Sequence, residues 1–208
     1  MLGHLVDQQG VRPNPEKVRA VQDFPRPKDV KSVQSFLGLC SYYRKFIPNF
    51  ASIAKPLTHV TKSSTPFVWK EDEEASMLKL KKTLIEKTFL AHPDHSLPME
   101  IHPDASSYGI GAVLIQRIDG IETPLAYASR LLKGSELNYT ITEKECLAAV
   151  WALKKFQYLV WGCQIIVTDH HALCWLLSKK ELAGRLARWT TVVQGENLKI
   201  IYKSGKAH

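Results

Sequence analysis

No apolar stretch in the sequence approaches the roughly 18 residues that a membrane span needs. Its opening, MLGHLVDQQG, has no basic region followed by an apolar run, so no secretory leader is expected. Cysteine is scarce: Cys40, Cys146, Cys163 and Cys174 form no CxxC pair and have no disulfide-like spacing. They read as small apolar core residues of a reducing, intracellular compartment, which excludes a disulfide scaffold. His92, His95 and His102 lie near one another, yet no cysteine or fourth ligand stands at a usual spacing, so zinc is not expected. Internal repeats and low-complexity segments are absent.

What is there is ordinary globular material. The chain has 208 residues, 45% hydrophobic and 23% charged, enough for one or two domains with a sizeable core. Lys and Arg number 28 against 20 Asp and Glu, a net charge of +8 with a pI near 9.3. Residues 1–95 carry 15 basic and 10 acidic side chains, and residues 96–208 carry 13 and 10, so the excess is spread and forms no tail. Such a balance points to a polyanionic partner or to nothing more than a solvated basic surface.

The first part reads as small and all-helical. Asn14 and Pro15 can cap and open a helix over 14–24. Asp29 can cap a second, whose Val33, Phe36, Leu37, Cys40, Tyr43 and Ile47 fall on one face before Pro48 stops it. A third helix, over 71–87, has acids in its first turn and lysines toward its end, as the helix dipole favours. Prolines and histidines interrupt the pattern at 91–98. Strands are then predicted over 97–103, 109–117 and 124–130, the last two joined by a turn at Asp119-Gly120. A long helix over 142–160, a strand over 164–169, helices over 171–178 and 182–194, and a strand over 198–203 complete an α/β order with a mixed sheet.

Three acids stand at element ends: Asp104 closing the first strand of that sheet, Asp169 closing the fourth, and Glu145 in the first turn of the long helix. Acids at the ends of apolar strands lie where α/β sites form. If the fold gathers them, their mutual repulsion is offset by a hard divalent cation, Mg²⁺ or Mn²⁺. Each also has a structural reading. Asp169 can cap the helix at 171, Asp104 can be a turn residue, and Thr142 with Glu145 fits a capping box. At about 100° per residue Glu145 falls beside Ala149, Ala152, Leu153 and Phe156, the sheet-facing side, whereas Glu143 falls on the polar side.

These residues match a family. PDASSYGIGAVLIQ (103–116), PLAYASRLLKGSELNYTITEKECLAAVWALKKF (124–156), TDHHALCWLL (168–177), GRLARW (184–189) and IIYKSGK (200–206) resemble the ribonuclease H domain of Ty3/gypsy-type retrotransposon Pol polyproteins. Upstream, LGHLVDQQGVRPNPEKVRAV (2–21) and SFLGLCSYYRKFIPNFASIAKPLT (35–58) resemble the end of the reverse-transcriptase palm and the thumb or connection region of the same Pol.

The resemblance implies a palm-end and helical thumb/connection part over 1–93, then an RNase H-like mixed five-stranded sheet with packed helices over 94–208. It implies Mg²⁺- or Mn²⁺-dependent hydrolysis of the RNA strand of RNA–DNA hybrids, with Asp104, Glu145 and Asp169 as metal ligands. His170 matches the family's TDH and stands beside the site, while His171 occupies a variable position. The expected partners are an RNA–DNA hybrid and the rest of Pol, its polymerase and integrase domains. Arg44, Lys45, Arg130, Lys133, Arg185 and Arg188 are the candidate phosphate contacts, each with a reading as a plain solvated residue. Tyr42 and Tyr43 read as packing residues before stacking platforms. The family continues into an Ala-Asp-x-Leu-Ser-like motif with a fourth acid, whereas this sequence stops at His208, and the paired aspartates of polymerisation are absent. The expectation is therefore weak cleavage by these 208 residues, with a non-catalytic hybrid-binding or architectural module as the alternative.

Overall fold

The computed structural model describes residues 3–63, 65–86, 89–169, 172–178, 184–194 and 198–202. The first strands, β1 (His4–Val6) and β2 (Gly10–Pro13), form a hairpin, and a two-residue strand β3 (Leu90–Ala91) pairs with β2. The expectation of an all-helical first part is thereby corrected. Its local cause is Asp7, whose carboxylate accepts the N–H groups of Gln9 and Gly10 and turns the chain back.

Helices α1 (Pro15–Gln22) and α2 (Val30–Tyr42) start where their caps dictate. Asn14 accepts the N–H of Glu16, and Asp29 and Ser32 close a reciprocal capping box. Contrary to the periodic pattern, α2 ends before Pro48. Tyr43 and Phe46 make i→i+3 bonds around a 3₁₀ turn, Arg44–Phe46, which carries Tyr43, Phe46 and Ile47 into the core by another route. Short helices α3 (Phe50–Ile53) and α4 (Lys55–Val60) follow, then α5 (Glu71–Glu86). Val21, Phe36, Phe46, Leu57, Leu80 and Leu84 fill the core of this part.

The second part is a five-stranded mixed sheet of β4 (Met99–Ala105), β5 (Gly109–Ile118), β6 (Ile121–Leu131), β7 (Ile165–Asp169) and β8 (Leu198–Tyr202), in the order β6-β5-β4-β7-β8. The β4-β5 and β5-β6 pairs are antiparallel; β4-β7 and β7-β8 are parallel. Asp119 and Gly120 join β5 to β6 with φ of 53° and 79°, the left-handed pair that a tight hairpin requires. Helix α6 (Ile141–Val160) lays Ala149, Ala152, Leu153 and Phe156 on one face of the sheet against Met99, Ile101 and Leu114. Helices α7 (Ala172–Ser178) and α8 (Gly184–Gln194) pack beside it. Among the described residues no helix is long and apolar enough to cross a membrane.

The helical part docks on the other face, along β5 and β6. Gly109 and Gly111 alternate with the core residues Ile110 and Ala112, and the absent side chains let α3 approach. A Cβ at Gly111 would lie 2.6 Å from Asn49 Oδ1. Asn49 makes no side-chain cap for α3. Instead Ser129 of β6 caps it from across the junction: its hydroxyl accepts the Ala51 N–H at 2.9 Å, while its carbonyl accepts from Arg44 at 2.7 Å. Tyr127, two residues earlier, packs into the helical core. Ser129→Ala leaves the Ala51 N–H unpaired in the junction, and the expected cost is about 1–3 kcal/mol. Thermal unfolding followed by circular dichroism should show a lower Tm by about 2–4 °C per kcal/mol. An unchanged Tm would mean that the bond carries no stability.

Candidate functional site

β4 and β7 run parallel with Ile101 level with Val167, so Asp104, one residue before the end of β4, and Asp169, the last of β7, lie at the same end of the sheet. The first turn of α6 is fixed at that end by the two neighbours of Glu145. Lys144 Nζ donates to the carbonyl of Ser107, just past Asp104, at 3.4 Å. Cys146 Sγ donates to the carbonyl of Ala172, just past Asp169, at 3.0 Å. Glu145, half-buried, is thus bracketed between the segments that follow the two aspartates. His170 and His171 lie outside the described residues.

The capping reading of Glu145 is corrected. Helix α6 begins one residue earlier than the pattern placed it, with Thr140 as N-cap and Glu143 at the third position. Thr140 donates its N–H to Glu143 Oε2 at 3.0 Å, and the Glu143 N–H donates to the Thr140 hydroxyl at 3.2 Å. Nor is Glu143 a solvent-side acid. Arg185 of α8 pairs with it, leaving its side chain 14% exposed. The Thr140 N–H, followed by Arg185, holds its carboxyl below the usual glutamate range. One glutamate of the turn therefore builds the helix and the other is spared that work.

Asp104 is exposed and accepts no hydrogen bond from a described residue. It alternates with the buried Met99 and Ile101, is level with Gly111, and lines a cleft of about 810 Å³ with Asn49, Ser52 and Tyr108. Its side chain thus opens toward the helical part, whereas Glu145 belongs to the helix on the opposite face. No group of three His, Cys, Asp or Glu side chains converges among the described residues. As donors, carboxylates offer only hard oxygen, which fits Mg²⁺ or Mn²⁺. The three clustered histidines are otherwise engaged: His92 with the Asp7 carbonyl at 2.9 Å, His95 with Cys163 Sγ at 3.3 Å, His102 with Glu100 at 3.1 Å.

The candidate phosphate contacts divide. Arg44, Lys45 and Arg130 meet on one groove of about 540 Å³ beside β6, with Lys155 and Trp151. Within it Arg44 is committed to Ser129, and Arg130 pairs with Glu136 at 2.6 Å and stands over Trp151. That pairing holds the Glu136 carboxyl below its ordinary value. Arg185 is committed to Glu143 and stands 4.3 Å from the Tyr139 ring centroid. Lys133 and Arg188 are exposed. Asn49, Ser129 and the lysines of α5 beside the Asp104 cleft had no motif to mark them, because only tertiary packing brings them there.

Residues 94–195 match the family described as an RNase H-like domain found in reverse transcriptase. The chain is 38% identical over 220 residues to the retrovirus-related Pol polyprotein from transposon opus of Drosophila melanogaster, covering 100% of the chain and 22% of that protein. To the Pol polyprotein from transposon 297 of the same fly it is 42% identical over 207 residues, covering 99% of the chain and 19% of the relative. The chain thus spans about a fifth of the length of these curated relatives. Among solved structures it is similar, with a TM-score of 0.80 and 25% identity, to the foamy viral protease-reverse transcriptase in complex with RNA/DNA hybrid, covering 99% of the chain and 29% of that one.

A depressed carboxyl contributes stability above its unfolded value and loses it as pH falls through its folded one. Glu143→Gln should therefore lower stability by about 0.5–1 kcal/mol at neutral pH, discounted for the exposure of Arg185. Thermal melts of the two proteins should converge as pH is lowered through the glutamate's depressed range. A pH-independent gap would contradict the assignment.

Proposed function

Because residues 94–195 are an RNase H-like domain of reverse-transcriptase type, in a chain homologous along its length to retrotransposon Pol polyproteins, we propose that it hydrolyses the RNA strand of RNA–DNA hybrids. The reading supposes a boundary near residue 93 between a thumb/connection part and the nuclease domain. The observation that carries it is the bracketing of Glu145, through Lys144 and Cys146, between the segments following Asp104 and Asp169. Asp104, Glu145 and Asp169, carried to one end of the sheet, would hold Mg²⁺ or Mn²⁺. What they recruit with such ions is Lewis acidity, which lowers the pKa of water and stabilises a leaving oxygen.

The chain's own residues supply position and selectivity. Asp104, with no bond to lose among the described residues, is open to substrate and ion. Glu145 is held in register by the capping of Thr140 and Glu143, which fixes the turn that carries it. Arg44, Lys45 and Arg130 on their groove, with Lys133, Arg185 and Arg188, would contact backbone phosphates. Selection of the hybrid then rests on 2′-hydroxyls and groove shape and not on base sequence. The polymerase and integrase domains of a Pol polyprotein are the proposed covalent neighbours.

Cleavage of an end-labelled RNA–DNA hybrid with Mg²⁺ tests this. Asp104→Asn should reduce the rate about a hundredfold or more while leaving Tm unchanged, and chelation by EDTA should abolish cleavage. Hybrid binding with cleavage indifferent to Asp104 would overturn the nuclease reading and leave a binding module.

A further inference from the structure

The cleft that holds Asp104 has a second wall that the proposed nuclease function does not use. Helix α5 buries Met77, Leu80 and Leu84 in the helical core, and turns Lys79, Lys82 and Thr83 toward the cleft. These three share one face, at spacings of three and four residues. Across from them stand Asn49 and Ser52 at the start of α3 and Tyr108 in the β4-β5 turn. Lys55 Nζ sits 3.8 Å from the centroid of the Tyr108 ring, a third cation on the rim.

Lys79 and Lys82 are exposed, and Lys79 makes no ion pair among the described residues. Lys82 pairs with Glu86 at 3.8 Å, with 72% and 56% of the two side chains exposed. A pair so solvated contributes little and competes weakly with a phosphate. Three lysines thus face two acids, Glu86 and Asp104, and Asp104 is a proposed metal ligand. By contrast, Arg44, Arg130 and Arg185 are already bonded to protein groups.

We infer that the cleft between α5, α3 and the β4-β5 turn seats the phosphate backbone of the nucleic acid strand that reaches Asp104, with Lys79 and Lys82 as positioning residues. The inference rests on the hybrid-nuclease reading and extends it to the helical part. Lysine supplies a compact point charge for phosphate oxygens, and Thr83, Ser52 and Asn49 add neutral partners for phosphate or sugar oxygens. A strand held there is gripped by both parts at once, since the α3 wall of the cleft is fixed to the sheet through Ser129.

The test is binding of an RNA–DNA hybrid across a salt series by the double variant Lys79→Gln/Lys82→Gln. A charge-matched pair, Lys17→Gln/Lys31→Gln on α1 and α2 outside the cleft, is the control. Loss of two phosphate contacts should lower the slope of log K against log salt by about two, and weaken binding about tenfold per contact near 0.1 M salt. In cleavage, KM should rise with kcat little changed, and the Lys79→Arg/Lys82→Arg protein should recover most of the affinity. A slope and KM that change no more than in the control pair overturn the inference and leave the nuclease reading intact. If the unmodified chain binds no hybrid at any salt, the nuclease reading falls and this inference with it.

Discussion

Ser129 is where the two halves of this protein become one object. A hydroxyl on a strand caps the first turn of a helix from another part of the chain, and the same residue's carbonyl takes an arginine from the preceding 3₁₀ turn. Both bonds run across a surface where Gly109 and Gly111 meet Asn49 and Ser52, and Tyr127 packs into the helical core. Glycines let the backbones come close, but they supply no direction. The directional bonds of Ser129 set where along β5 and β6 the helical part rests, and so which side chains share a cleft with Asp104.

On the opposite face of the sheet the question is which of two neighbouring glutamates closes the helix start. The first turn of α6 carries two glutamates. Glu143 closes the cap with Thr140 and is covered by Arg185, while Glu145, two residues on, is carried round to another side. The division follows from the 100° step of the helix. Shifting the helix start by two residues exchanges the two positions, so the N-cap decides which glutamate closes the helix and which stands at the proposed site.

Much of this was legible in the sequence, for identifiable reasons. The alternation in GIGAVLIQ and PLAYASR, the Asp119-Gly120 turn and the apolar face of α6 are local signals, and the sheet formed from them as expected. The element ends that carry Asp104 and Asp169 followed from the same patterns. Where reading failed, a short-range rule met a long-range partner. Thr142 with Glu145 satisfied the capping-box spacing as well as Thr140 with Glu143 did, and Arg185, forty-two residues away, favours the second. β1, β2 and β3 are too short to show a period, and β3 exists only because β2 is beside it. The lysines of α5 were accounted for by the helix dipole alone, since nothing local says that a cleft faces them.

That two-residue strand also bears on the order in which the protein can be made. Gly10 pairs with Ala91, so the first sheet closes over roughly eighty intervening residues, a loop whose closure entropy must be met by contacts formed at the same time. A chain emerging from the ribosome can form its capped helices early, but among the described residues the β1-β2 hairpin gains its third strand only when Leu90 appears. Leu90 contributes to the helical core and Ala91 to the core of the larger sheet. The helical part thus completes itself only as the next part begins. Maturation of the two is coupled in time by one short strand.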